Sequence, residues 1–360
     1  MLTKVPAGIA PAAALRPRTL SPWIAAGRIL SYGSGSRLQQ RLKFYLRAMG
    51  QPRLTHAWLA RLVQPDIAPL WVAHPRLATK LQRPYLCCAW TTLERFGALM
   101  GHYDALGRFF APEARAAIYH EGLGLVRLVH AGSGRKLEAR LVYQDQFEKE
   151  GELTLAIHDV ATGLTLAGLT FSIVHHAGQR VIIVGGLQAS PDPRMREIIH
   201  DVAKECHGLR PKALALWCLQ ELASVWQVSQ IQAVGDDQHI YRHAHKRREF
   251  AASYDEFWTE SDGQRLPAGG SWELPLQLRT RSREELKPSR RKAHERRYAL
   301  LGAFGSLLKA AALSLGSSAS AAGLLAGGPA EFIHGVREMD PARDREPAVT
   351  QDAVPVHLAA

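Results

Sequence analysis

The sequence predicts an α+β protein: helices first, then a central antiparallel-to-mixed sheet carrying a strand-helix-strand crossover, then a basic helical C-terminal tail. Three observations predict it. From about Gly124 to Gln188 the apolar period is two, as in Leu137, Ala139, Leu141 and Tyr143 or Leu153, Leu155 and Ile157. From Met195 to Trp226 the period becomes helical, and Ile231 to Val234 then returns to strand type before Gly235-Asp236-Asp237 ends the run.

Residues 1–36, rich in Pro, Ala, Gly and Ser, read as a flexible lead-in. Arg37 to Met49 is a basic amphipathic helix with Leu38, Leu42, Tyr45 and Leu46 on one side, read first as a core helix with a solvated basic face. Thr55 to Val63 and Ala89 to Met100 are further helices, separated by a basic turn between His74-Pro75 and Arg83-Pro84. In the two-period stretch, His175-His176-Ala177-Gly178-Gln179 is a hairpin connection. The β-branched run of Arg180 to Gln188 ends in Gly185-Gly186, where the backbone must bend or be closely approached.

Pro191 and Pro193 end that strand. Ile198, Ile199, Val202 and Cys206 mark a half-buried helix, and Pro211 then fixes the start of an apolar one running to Trp226, with a polar strip at Gln220, Glu221 and Ser224. If the two flanking strands are parallel, the first helix must lie across the strand ends. Gly186, Gln188, His207, Gly208, Arg210, Lys212, Asp236 and His239 would then surround one rim. Leu274-Pro275-Leu276 adds an edge strand, and Lys287 to Arg297 is a basic run with a solvated face. Residues beyond about 317 become Ala/Gly/Ser-rich and then Pro- and charge-rich, and the end of the chain reads as disordered. The predicted organisation is a lead-in over 1–36, one domain over 37–301, and an Ala/Gly/Ser-rich helix with a disordered tail over 302–360. Within the domain, 37–120 is helical, 121–240 holds the sheet and crossover, and 241–301 is charged.

The formal net charge of +12 favours an acidic or phosphorylated ligand, or peripheral contact with an anionic membrane. Nucleic acid is the weaker reading, because the basic run lacks interleaved aromatics before Tyr298. Four cysteines without CxxC spacing read as reduced thiols, and no signal sequence is recognisable, so the chain is expected in the cytoplasm. If it meets the inner membrane peripherally, the Arg37 helix and the Ala299 to Leu315 segment are the contact points.

The ordered blocks resemble the VirK/YbjX family of bacterial proteins. The blocks are His74-Pro75 to Leu86, His102-Tyr103, Glu150 to Leu155, Phe171-Ser172, Gly185 to Gln188, His207 to Lys212, Tyr254-Asp255 with Phe257-Trp258, and Arg296-Arg297-Tyr298, spanning about residues 38–301. Ala189 stands where the family's glycine is expected. The resemblance implies a Gram-negative source and an envelope or virulence connection, and supplies no catalytic residues. The layout of meander, strand, basic loop, apolar helix and strand is also similar to the GCN5-related acyltransferases, whose pyrophosphate loop opens the helix after the central strand. Their full glycine motif is absent, since Cys206 to Pro211 offers one glycine.

A helix start flanked by Arg210 and Lys212 is suited to a phosphate. The leading expectation is therefore an acyltransferase-like protein using acyl-CoA or another acyl thioester. Gln188, His207, Gly208, Arg210 and Lys212 would hold the donor, and His239, Tyr254 and Asp255 are the candidate proton carriers. The competing expectation is a non-catalytic accessory factor in envelope or surface-protein maturation. No metal is expected, because His239, His243 and His245 have no carboxylate or cysteine at ligand spacing. A nucleophile is not expected either: no Gly-x-Ser-x-Gly occurs, and Cys206 falls on an apolar face.

Overall fold

The structure is a computed structural model and describes residues 22–29, 37–176, 178–241, 253–267, 270–280, 282 and 284–335. The helical part contains α1 (Pro22–Ile29), α2 (Arg37–Met49), α3 (Pro52–Leu62), α4 (Ala68–Ala73), a 3-10 segment (Pro75–Gln82), α5 (Thr92–Phe109) and α6 (Pro112–His120). Prolines at the first turns of α3, α4 and α6 set their starts, since the first helical N–H needs no partner there. A capping box between Thr91 and Glu94 starts α5 three residues later than the sequence suggests.

The strands form one nine-stranded sheet in the order β7-β8-β6-β5-β4-β3-β2-β1-β9. β1 (Leu123–His130), β2 (Lys136–Val142), β3 (Leu153–Asp159), β4 (Leu164–His176) and β5 (Gln179–Gln188) are the antiparallel meander. After α7 (Met195–Glu205) and α8 (Pro211–Val225), β6 (Gln230–Val234) returns parallel to β5. β7 (Gln264–Arg265) and β8 (Ser271–Leu274) follow α9 (Tyr254–Glu260), and β8 pairs with β6. β8 thus lies inside the sheet rather than at its edge, because the two residues of β7 extend it.

Consecutive residues of β3 and β4 are buried irrespective of parity, so both faces of the sheet centre are covered. α8 packs on β3 and β4, and α10 (Pro288–Ser314) lies over α8. Gly305 permits that approach, since a Cβ there would stand 3.0 Å from the Trp217 ring. The polar strip of α8 is used in turn: Gln220 donates to the Pro275 carbonyl at 2.7 Å, and Glu221 meets Lys309 at 2.7 Å. α7 does lie across the strand ends, for Ser190 donates to Thr165 at the start of β4 while Glu205 pairs with Arg135 beyond β1 at 3.0 Å.

Two outer regions differ from the sequence reading. Part of the expected lead-in is α1, held because Trp23 stacks on Tyr45 at 6.2 Å and Ala26 is buried. Within 302–360, read as an Ala/Gly/Ser-rich helix and a disordered tail, stand the end of α10, then α11 (Ser318–Gly327), and then β9 (Ala330–His334), which the sequence does not predict and which pairs parallel to β1. Backbone pairing with a ready-made strand supplies the order that the Ala/Gly/Ser composition does not. His243, His245 and residues 336–360 lie outside the described residues.

Candidate functional site

β5 pairs with β6 only over Val181–Val184, and opposite β4 it bulges at Gly185, where the register slips between Thr170 and Phe171. Its last residues, Gly185 to Gln188, therefore run past the parallel partner. The two glycines have a steric purpose: a Cβ on Gly185 would strike the Glu150 carbonyl oxygen, and one on Gly186 the Glu150 carboxylate. Glu150 is fully buried in the space they leave.

Around that carboxylate converge three of the sequence candidates. Gln188 donates its amide to both Glu150 oxygens at 2.9 Å. His239 Nε2 stands 3.5 Å from Glu150 Oε1, and its ring meets that of Tyr254 edge-on at 5.0 Å. The Tyr254 hydroxyl accepts from the Leu187 N–H at 3.3 Å and from Gln188 Nε2 at 3.3 Å, and donates to the Leu187 carbonyl at 3.2 Å. It thus satisfies backbone of β5 beyond the reach of β6. Burial, and then the neighbouring Glu150, pushes the Tyr254 phenol well above its ordinary range. Near neutral pH Tyr254 therefore stays a neutral phenol that gives and takes hydrogen bonds. His239 is placed by the loop after β6, where its backbone bridges to Cys87 and the Cys88 N–H reaches the Gln238 carbonyl at 2.9 Å.

Asp255 takes another position. Its Oδ1 accepts from the Asp236 N–H at 3.1 Å and from the Trp272 indole at 2.8 Å. Asp236 in turn accepts from the Tyr254 N–H and the Ser253 hydroxyl, so the two acids fix the start of α9 and thereby the Tyr254 ring.

The basic loop stands apart from this quartet. Gly208 has φ +83° and donates to the Ala203 carbonyl, which ends α7. The preceding His207 carbonyl accepts two bonds from Arg297 of α10, at 3.1 and 2.7 Å. Lys212 pairs with Glu260 at 3.3 Å and covers the Phe257 ring, and Arg210 reaches the same carboxylate at 4.0 Å. The rim expected from the sequence is therefore two groups joined by α9, which carries Tyr254 at one end and Glu260 at the other. Cys206 is buried, and burial pushes its thiol up to about 12. Among the described residues no group of three His, Cys, Asp or Glu side chains could hold a metal.

Sequence reasoning gave Glu150 no role. The available signal was the alternation Glu148, Glu150, Glu152 entering an apolar strand, since acids there must be paired if both sheet faces are covered. Each has its own partners. Glu148 takes Arg76 at 2.6 Å and also Arg83, while Glu152 takes Lys80 at 2.7 Å and the Tyr103 hydroxyl at 2.9 Å. Lys80 also lies over the Tyr85 and Tyr143 rings.

Comparison with known proteins agrees on one family. The model for a protein of unknown function, DUF535, matches residues 33–308. The uncharacterised protein YbjX of Escherichia coli K12 is 32% identical over 268 residues, covering 73% of this chain and 80% of that protein. An uncharacterised Haemophilus influenzae protein is 26% identical over 120 residues, covering 33% of this chain and 40% of its own length. No solved structure matches. The match to most of the chain and the level of identity to YbjX together place this protein in the DUF535, or VirK/YbjX, family.

Proposed function

We propose that the chain transfers an acyl group from an acyl thioester of the acyl-CoA class to an amine or hydroxyl acceptor in bacterial envelope physiology. The observation that carries this reading is the convergence of Glu150, Gln188, His239 and Tyr254 where β5 outruns β6. Ligands of parallel strand pairs enter beyond the carboxyl ends of the strands, and these groups stand there. Glu150 orients His239, which takes the acceptor's proton as the acceptor attacks the thioester carbonyl. A C–N or C–O bond forms and the C–S bond breaks. The departing sulfur receives the proton that His239 has taken from the acceptor, the Tyr254 hydroxyl holds Leu187 and Gln188 at the end of β5, and Gln188 fixes Glu150 throughout.

The order of meander, crossover and returning strand supports the reading by analogy with acyltransferases, and analogy alone gives a fold rather than a reaction. No helix of the described residues is long and apolar enough to cross a membrane. The four cysteines are free, and we place the activity in the cytoplasm.

The test is release of coenzyme A, followed by mass spectrometry, from purified full chain given acyl-CoA and a mixture of amine and hydroxyl acceptors. Acceptor-dependent release is expected, falling by about 10²–10⁴ in His239→Gln and falling also in Tyr254→Phe. Absence of release, or full activity in both variants, overturns the reading and leaves the accessory role.

A further inference from the structure

A separate cavity of about 350 Å³ lies between α2, the end of the 3-10 segment and the start of α5. Three guanidinium groups from these three elements line it: Arg47, Arg83 and Arg95. No carboxylate is among its lining residues. The nearby acids are already engaged. Glu148 is shared between Arg83 and Arg76, so one carboxylate serves two cations, and Glu94 accepts the Thr91 N–H and hydroxyl at 2.7 Å. Arg95 gives Nε and one terminal nitrogen to the Trp90 carbonyl.

Two buried atoms of the lining residues have no partner. Arg83 Nε lacks an acceptor, and Gln82 Oε1 lacks a donor, its amide nitrogen being turned to the Thr55 hydroxyl at 3.1 Å. An unmatched buried donor or acceptor is costly, and converging like charges add to that cost. Burial lowers the Arg83 pKa most, and Arg76 and Arg47 lower it further against the pull of Glu148. A phosphate in the cavity offsets the converging like charges, because its oxygens accept from several guanidinium donors at once.

We propose that Arg47, Arg83 and Arg95 clamp a phosphate monoester or diphosphate group in this cavity. The volume suits a phosphate plus a small remainder. A nucleic-acid groove would need an extended basic track with stacking aromatics, and the lining contains neither. The phosphate can belong to a free metabolite or to a phospholipid headgroup. The helix that carries Arg47 exposes Leu42, Leu46 and Met49 at i, i+4 and i+7, which gives a lipid's chains an apolar ridge beside the headgroup. The inference is independent of acyl transfer.

The full chain is titrated calorimetrically with inorganic pyrophosphate, and sedimented with phosphatidylcholine vesicles with and without phosphatidic acid. Arg47→Gln/Arg95→Gln removes two clamps without touching the buried Arg83–Glu148 pair. Arg210→Gln/Lys212→Gln is the basic control. Saturable pyrophosphate binding, weakened about tenfold or more by the first variant and unchanged by the second, is expected. Phosphatidic-acid-dependent sedimentation that both Arg47→Gln/Arg95→Gln and Leu42→Ser/Leu46→Ser abolish assigns the headgroup source, and pyrophosphate binding without sedimentation assigns the free one. No binding of either probe, or binding indifferent to Arg47 and Arg95, overturns the proposal.

Discussion

Glu150 and Glu152 stand two residues apart in one segment, both fully buried, yet they face different chemistry. Glu152 meets a lysine ammonium and a phenol inside a shell of Tyr85, Tyr103, Tyr119 and Tyr143. Burial first and Glu152 second push those phenols far above their ordinary range, so none ionises near neutrality. Glu150 instead meets an amide and an imidazole where a strand outruns its partner, and the Tyr254 phenol is bonded to that same amide. A carboxylate matched by a fixed cation holds structure, whereas one surrounded by groups that can exchange protons can also do chemistry. The difference separates the site we propose from a structural region two residues away that resembles it in composition.

The largest expected effect breaks the structural side. Lys80→Met leaves the Glu152 charge buried without its cation, which costs about 3–5 kcal/mol. Urea unfolding measures it, and a loss under about 1 kcal/mol would erase the contrast. A somewhat smaller effect comes from pH. His102, whose Nδ1 accepts the Ile173 N–H at 3.2 Å, has its pKa lowered to about 4, chiefly by burial, with Lys80 adding to it and Glu152 opposing. The unfolded chain therefore takes up this proton before the folded one does. Stability from this group is complete above about 6.5 and falls as pH drops from there to about 4, by about 3 kcal/mol in all. Thermal melts across that window check it, with His102→Gln expected to flatten the slope. The smallest effect sharpens the other side. Glu150→Gln strands no full opposite charge and costs about 1–3 kcal/mol, from imperfectly matched hydrogen bonds with Gln188. Coenzyme A release in that variant is expected to fall far more than its stability.

Much of this arrangement was legible before the structure. The β-branched run ending in Gly185-Gly186 announced the strand and its close approach, and the crossover argument correctly laid α7 across the strand ends. Gln188 and His239, expected on one rim, share one carboxylate, and Tyr254 joins them through the Gln188 amide. The carboxylate itself was hidden, because an acid between Lys149 and Gly151 reads as a solvated turn until the covering of both sheet faces is known. Arg210 and Lys212 show another limit of the sequence. Their neutralising partner, Glu260, lies 48 residues beyond Lys212, and pairing at that distance leaves no local mark. The cavity arginines come from α2, the 3-10 segment and α5, so no window of sequence displays them together.

β9 bears on how this molecule behaves in company. A sheet of nine strands has two margins, each a row of backbone donors and acceptors able to recruit a strand from another chain. One margin is β7, two exposed polar residues long. At the other, β9 covers Val126 to His130 with five residues and stops between Gly328 and Gly335, both in the left-handed region. Glu331 fastens it to Lys136 and Arg127 at 3.0 and 3.5 Å. The family match ends at residue 308, before β9 begins. The segment beyond it thus replaces the margin of β1 by a shorter one that carries charge, a kind of margin that offers less to a strand from another chain.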